Sequence, residues 1–524
     1  MFALAILVGI YSYLIFALGV LDLLYPSYII IITILYIIFS LFYFKKNTSE
    51  LPKITIRNKK IRPYILLFCI LAGINLIGAL GPELSFDALW YHLTLPKIFL
   101  MNHSISFLSG GLFYYSVMPK LGEMLYIPAV MIGAETIAKL TQWSFGILIS
   151  VAVYKISRKY FDEKTSFFAV IIFYGSLVVA WESTVAYIDL IRTFFEIMGL
   201  WGILIWFETK DRKWLIESGV MVGLAISTKL IALGSIPIFI ALIMIFEKDK
   251  SAVLKNSIIF GAVSLIVALP WFFFAYLSTG NPFFPVFSEV YNLNIGSGLM
   301  GLAGVKDLLV LFLRSADPIS PIYIILFPLI FVYFKKLKKE IQIIAVYSLF
   351  AIIIWYLTPH NGGGRFILPY LPAFSILSVT LIEQIKTTQL KKYMYAVILL
   401  VFISTIMYRG VATLRFLPAV LGHESKEEFL TKNLNFDFGD FYDTDGFFEN
   451  IKSDDMVLLF GFHNLYYAEF PFIHESFART GDRFNFIATQ NSELPSKYSH
   501  WKLIYANKKT HVNVYSLGGA KWSY

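Results

Sequence analysis

Apolar residues in this chain come in blocks of 16 to 21 residues, longer than a buried strand, and the blocks recur as far as about residue 409. A helix needs roughly 20 such residues to cross about 30 Å of hydrocarbon, because lipid offers no partner to an unpaired backbone amide. Thirteen spans are predicted, at 3–22, 27–44, 61–81, 137–157, 164–182, 188–207, 214–229, 231–246, 257–277, 319–334, 341–357, 366–383 and 392–409. The first has no basic leader and no small-residue cleavage site, so it reads as a retained helix and not as a signal peptide.

Beyond Tyr408 the pattern changes, and short β-like runs such as Met456–Phe460 and Leu503–Ala506 replace the long blocks. The organisation expected is therefore two leading helices with a basic loop (1–60), a membrane module (61–409) with a long first external loop (82–136), and a soluble α/β-type domain (410–524). No internal repeat is visible.

Composition agrees. Of 524 residues, 57% are hydrophobic and 15% charged, and the mean hydropathy is +0.68, outside the range of soluble domains. Lys and Arg number 24 in one alternating set of loops and 6 in the other. The positive-inside rule makes the first set cytoplasmic, with the N-terminus inside and the C-terminal domain outside. The net charge of +9 is largely this bias. With no basic run interleaved with aromatics, nucleic acid is not an expected partner. The single cysteine, Cys69, lies in a span and offers neither a disulfide nor a Cys-based metal site.

The polar residues inside this apolar chain gather toward one membrane face. Residues 82–100, PELSFDALWYHLTLPKIFL, place Glu83 and Asp87 one helical turn apart just beyond a span, followed by an amphipathic stretch suited to the interface. Asp87 suits a general base that takes a proton from an attacking hydroxyl, or a helix cap. Glu83 reads as its partner or as an ordinary first-turn acid, and His92 as a substrate contact or a structural residue.

In AYIDLIRTFFE, Asp189, Arg192 and Glu196 share one helix face. Ionisable groups in a span face a bundle interior or a water-filled cavity, which makes them functional candidates. Lys229 in GLAISTKL could neutralise a lipid phosphate or snorkel. In TPHNGGGRFILPYLP, His360 and Arg365 sit at the mouth of a span, where a Gly-rich turn and a guanidinium could hold a phosphate oxygen. The tail segment DFYDTDGFFE fails the EF-hand pattern, with Phe441 and Lys452 where positions 1 and 12 need acids, and reads as a turn.

Four stretches, DALWYHLTLPKIFL, YIDLIRTFFE, GLAISTKL and GGGRFILPYLP, with TGNPFFP as a weaker fifth, resemble the GT-C superfamily of membrane glycosyltransferases. The likeness is to glycosyltransferase family 39, the protein O-mannosyltransferase and aminoarabinose-transferase group, over roughly residues 61–383. It implies a polytopic α-helical GT-C-like fold with about 13 transmembrane helices and a small C-terminal extracytoplasmic domain, in the plasma membrane. It further implies transfer of a sugar from a polyprenyl-phosphate donor to a protein, lipid or glycan acceptor outside the cell.

The resemblance makes Asp87 the catalytic base, gives Arg365 and Lys229 the donor phosphate, and gives Asp189 an orienting role. Glu83 departs from the family's adjacent acidic pair. No metal ligand is assigned, and a divalent cofactor stays open. The other readings are an O-antigen-type ligase or polymerase, a flippase of lipid-linked glycans, and an inactive relative; a one-sided polar cluster without repeat symmetry favours the enzyme.

Overall fold

The computed structural model describes residues 1–47, 58–288, 311, 317–358, 363–518 and 521–524. Among them, nine helices are long and apolar enough to cross a membrane: Phe2–Val20, Pro26–Lys46, Lys59–Leu80, Glu135–Ser157, Asp189–Thr209, Lys250–Thr279, Lys339–Leu357, Gly364–Gln384 and Thr388–Leu414. The other four expected spans are helical but short or broken. Residues 164–182 divide at Gly175-Ser176 into Glu163–Tyr174 and Leu177–Glu182. Residues 319–334 divide around Pro328 into Ile322–Leu326 and Leu329–Tyr333, since proline cannot continue the hydrogen-bond ladder. The pair around Lys229 forms Arg212–Thr228 and the equally short Leu230–Phe246 segment. Among the described residues, nine of the thirteen expected spans are thus continuous helices long and apolar enough to cross a membrane.

Burial sorts the helices. Pro26–Lys46 has 6% of its apolar window buried, whereas Asp189–Thr209 and Gly364–Gln384 each have 89% buried. These two central helices carry Asp189 and Arg365. Asp189–Thr209 packs tightly on Arg212–Thr228 through small residues: Ser218 Oγ donates to the Gly199 carbonyl at 2.8 Å. A Cβ on Gly202 would lie 3.1–3.2 Å from Ser218. Such close approach replaces the hydrophobic drive that helices lack in lipid. The left-handed Lys210 closes the first helix and the Asp211 carboxylate caps the second, so the chain reverses in two residues.

The loop 82–136 does not lie open in the interface as its amphipathicity suggests. Its helix Thr94–Met101 buries Leu95, Ile98 and Phe99 in a core shared with Phe16 and Trp271 of the membrane helices and with Phe441 and Phe462 of the C-terminal domain. Lys97, half-buried, donates to the carbonyls of Tyr466 and Ala468 at 2.8 and 2.7 Å; desolvation lowers its pKa to about 8. The apolar face that sequence assigns to lipid is covered by protein.

The C-terminal domain is built on a five-stranded sheet, from strands β1 (Val457–Phe460), β2 (Phe472–His474), β4 (Phe486–Gln490), β5 (Lys502–Asn507) and β6 (Val512–Ser516), in the order β2-β1-β4-β6-β5. Strand β1 runs parallel to both its neighbours, and the β4-β6-β5 part is antiparallel. Strands β3 (Arg483–Phe484) and β7 (Trp522–Ser523) form a separate pair. The two β-like runs read from the sequence are β1 and β5.

Candidate active site

Asp87, Asp189, Lys229 and Arg365, distant in sequence, meet at one place. Each is delivered by a break in helical structure. Asp87 stands just before a π-helical turn, Ala88–His92, Asp189 is the first residue of its helix, and Lys229 is the extended residue after Thr228. Arg365 lies in the turn Gly364–Ile367, where a side chain on Gly364 would collide with the Asp317 carbonyl.

Arg365 is the hub. Its Nη2 lies 2.8 Å from Asp87 Oδ2, and its Nε lies 3.4 Å from Glu182 Oε1 and 3.7 Å from Asp189 Oδ2. Lys229 Nζ reaches Asp189 Oδ1 at 2.7 Å. The guanidinium rests 4.3 Å from the centre of the Tyr187 ring. The Tyr187 hydroxyl accepts from the Asp87 amide at 3.2 Å, and the Tyr91 hydroxyl donates to Asp87 Oδ2 at 3.4 Å.

Exposure divides these groups into two layers. The Glu182 and Asp189 side chains are 0% exposed, whereas Asp87 is 19%, Lys229 15% and Arg365 13% exposed. Behind two cations whose outer sides stay reachable, Asp189 contacts both and the buried Glu182 faces Arg365. Asp189 needs the cations, because a buried charge without a partner costs several kcal/mol. A carboxylate and two cations therefore face one opening, fixed from behind.

The remaining predicted residues fall elsewhere. Glu83 is buried, and its carboxylate accepts from the amides of Leu84, Ser85 and Ala186 at 2.9, 2.8 and 2.6 Å. It ties the loop to the segment before Asp189. His92 is sealed in the first loop, with Nδ1 2.9 Å from Glu123, which also lies 3.5 Å from Lys120. Burial keeps the His92 pKa below its usual value despite Glu123, so the neutral ring donates from Nδ1. Burial also opposes the Glu123 carboxylate, but Lys120 and His92 outweigh it and hold its pKa low.

Arg192, one turn from Asp189, belongs to a deeper cluster. It donates to the Tyr370 hydroxyl at 3.3 Å, while Glu196 accepts from Tyr347 at 2.7 Å and Ser235 at 2.9 Å. His360 lies outside the described residues. The Arg365 amide donates to Asp317 at 2.9 Å.

Sequence reasoning missed Glu182, Tyr187 and Tyr91. Glu182 was findable as an acid inside the apolar stretch VVAWESTV, the same signal that singled out Asp189. The tyrosines carry no such signal in a chain with 32 of them. Among the described residues no group of three or more His, Cys, Asp or Glu is placed to hold a metal ion; the three carboxylates converge on a guanidinium.

Residues 129–274 match the family described as dolichyl-phosphate-mannose-protein mannosyltransferase. The fold is similar to that of ArnT from Cupriavidus metallidurans. The apo structure matches with a TM-score of 0.60 and 11% identity over 88% of this chain and 98% of ArnT. The structure bound to undecaprenyl phosphate matches with a TM-score of 0.57 and 11% identity, over 87% and 98%. The chain thus carries a segment similar to that mannosyltransferase family within a fold similar to that of ArnT. No curated relative matches its sequence. Of the site, the matched segment 129–274 holds Glu182, Asp189 and Lys229, while Asp87 and Arg365 lie to either side of it.

Proposed function

We propose that this GT-C protein transfers a sugar from a polyprenyl-phosphate-linked donor to an acceptor hydroxyl on the extracytoplasmic side of the plasma membrane, with inversion. The observation that carries the reading is the layered cluster, in which a partly exposed carboxylate and two partly exposed cations are anchored by buried acids. ArnT's complex with undecaprenyl phosphate supports a lipid-phosphate leaving group.

In the proposed reaction the acceptor oxygen attacks the anomeric carbon as its proton passes to Asp87. The bond from that carbon to the phosphate oxygen breaks, and polyprenyl phosphate leaves with the electron pair. Lys229 and Arg365 meet the charge growing on that phosphate, where preformed cations in a water-poor site are most effective. Asp189 and Glu182 hold the two cations in place. Asp87 is paired with Arg365 before substrate arrives, so donor phosphate competes for the guanidinium and frees the carboxylate for the hydroxyl.

The test is release of polyprenyl phosphate from a panel of labelled lipid-linked sugars by purified protein in lipid. Turnover by the wild type that Asp87→Asn abolishes is the expected result. Donor carried between leaflets without cleavage would replace the enzyme with a transporter.

A further inference from the structure

Beside Asp87 stands a row of aromatic rings that the reaction above does not use. Phe86, 39% exposed, stacks on His463 of the C-terminal domain at 4.7 Å between centroids and lies 5.9 Å from Trp90. Trp90 lies 4.6 Å from His463 and 5.1 Å from Tyr115, and Tyr115 stacks on Tyr114 at 4.0 Å. Trp90, Tyr114, Tyr115 and His463 are all half-buried.

The rings are held in place. Trp90 Nε1 donates to the Leu112 carbonyl at 3.0 Å, His463 Nδ1 lies 2.9 Å from Asn464 Oδ1, and Tyr115 stacks on Tyr91, whose hydroxyl reaches Asp87. The shelf thus runs from the C-terminal domain to the carboxylate.

We infer that this shelf is the acceptor subsite and that the acceptor is a carbohydrate, an inference that rests on Asp87 being the base. A pyranose has one face of C–H groups and an equator of hydroxyls. The C–H face suits the negative face of an aromatic ring, and the hydroxyls suit phenol and imidazole edges. The shelf takes four rings from residues 82–136 and one, His463, from the C-terminal domain. It presents ring faces and polar edges to its ligand, not the cations that an anionic lipid headgroup would call for. A sugar lying on Phe86 and Trp90 brings a hydroxyl toward Asp87.

The test is saturation-transfer NMR with full-length protein in lipid nanodiscs and methyl glycosides of glucose, galactose, mannose and N-acetylglucosamine, with no donor present. Ring-proton saturation of at least one glycoside is expected, falling about five-fold in His463→Ala and in Trp90→Leu. No transfer to any glycoside, or signals unchanged in both folded variants, overturns the inference. A donor-cleavage assay run in parallel, with water, these glycosides and Ser/Thr peptides as acceptors, separates the two readings. Loss of donor cleavage in the wild type with glycoside binding intact defeats the proposed reaction and leaves the subsite. Cleavage with transfer to peptides alone defeats the subsite.

Discussion

The helix Asp189–Thr209 carries two polar clusters one turn apart, and they are opposites. At its head, Asp189 joins Asp87, Glu182, Lys229 and Arg365, and three of these five keep exposed surface. Deeper in, Arg192 and Glu196 meet Ser235, Tyr347 and Tyr370, all buried. The Glu196 carboxylate is occupied at both oxygens. An ionisable residue in a membrane helix is therefore not by itself a site. Exposed valence beside buried anchors marks the first cluster as a place for a ligand; full burial marks the second as a fastener between helices, with Arg192 Nε and Nη1 left without a hydrogen bond.

The largest expected effect breaks the comparison most directly. Asp87→Asn, which keeps the shape and removes the base, is expected to lower kcat by about 10²–10⁴ with thermal stability close to that of the parent. Full activity in a folded Asn variant would end the base assignment. In the closed cluster the outcome should reverse. Glu196→Ala leaves the Tyr347 and Ser235 hydroxyls without their acceptor and removes the carboxylate one turn along the helix from the buried Arg192, and is expected to cost about 3–5 kcal/mol of stability. Turnover per folded molecule should hold. Denaturation in detergent and specific activity, measured together, check both halves; a stable but inactive Glu196→Ala would move the deeper cluster into the site.

Arg365→Lys is expected to sharpen the account of the hub. Lysine keeps the charge but cannot span Asp87, Glu182 and Asp189 with one planar fork. A fall of about 10- to 100-fold in kcat/KM is expected, read in the donor-cleavage assay. Parental activity would show that charge alone matters and that the fork geometry does not.

Much of this was legible in the sequence because lipid imposes a strict code. Apolar block length gave the helices, and rare charges inside them gave Asp189, Lys229 and Arg365. What stayed hidden depends on tertiary contact. The breaks at Gly175-Ser176 and Pro328 look like small interruptions in apolar runs, and only packing shows that they divide spans. The amphipathic run after Asp87 looks like an interfacial helix because sequence cannot say whether lipid or another domain covers its apolar face. Glu83 and Asp87 are alike in the sequence; one is occupied by three backbone amides and the other is not.

The two clusters also differ in what they owe to the C-terminal domain, and pH separates them. His474, buried in β2, accepts from the Ser476 amide at its Nδ1 and donates from Nε2 to the Phe462 carbonyl, next to the His463 that stacks on Phe86. Burial lowers the His474 pKa from 6.5 to about 4. The unfolded chain takes up a proton at about 6.5 and the folded domain does not until about 4. Its contribution is complete above pH 6.5 and is lost as pH falls from 6.5 to 4, by about 3 kcal/mol at most. Hydrogen exchange, corrected for its intrinsic pH dependence, should therefore rise in peptides covering Phe460–Phe477 between pH 7 and pH 4.5. Peptides around Glu196 and Tyr347 should not follow, because the closed cluster has no contact with that domain. His474→Gln, which keeps a donor without the titration, should flatten the rise; an equal rise in the variant would trace the pH response to another group and cut the link between His474 and the wall of the open site.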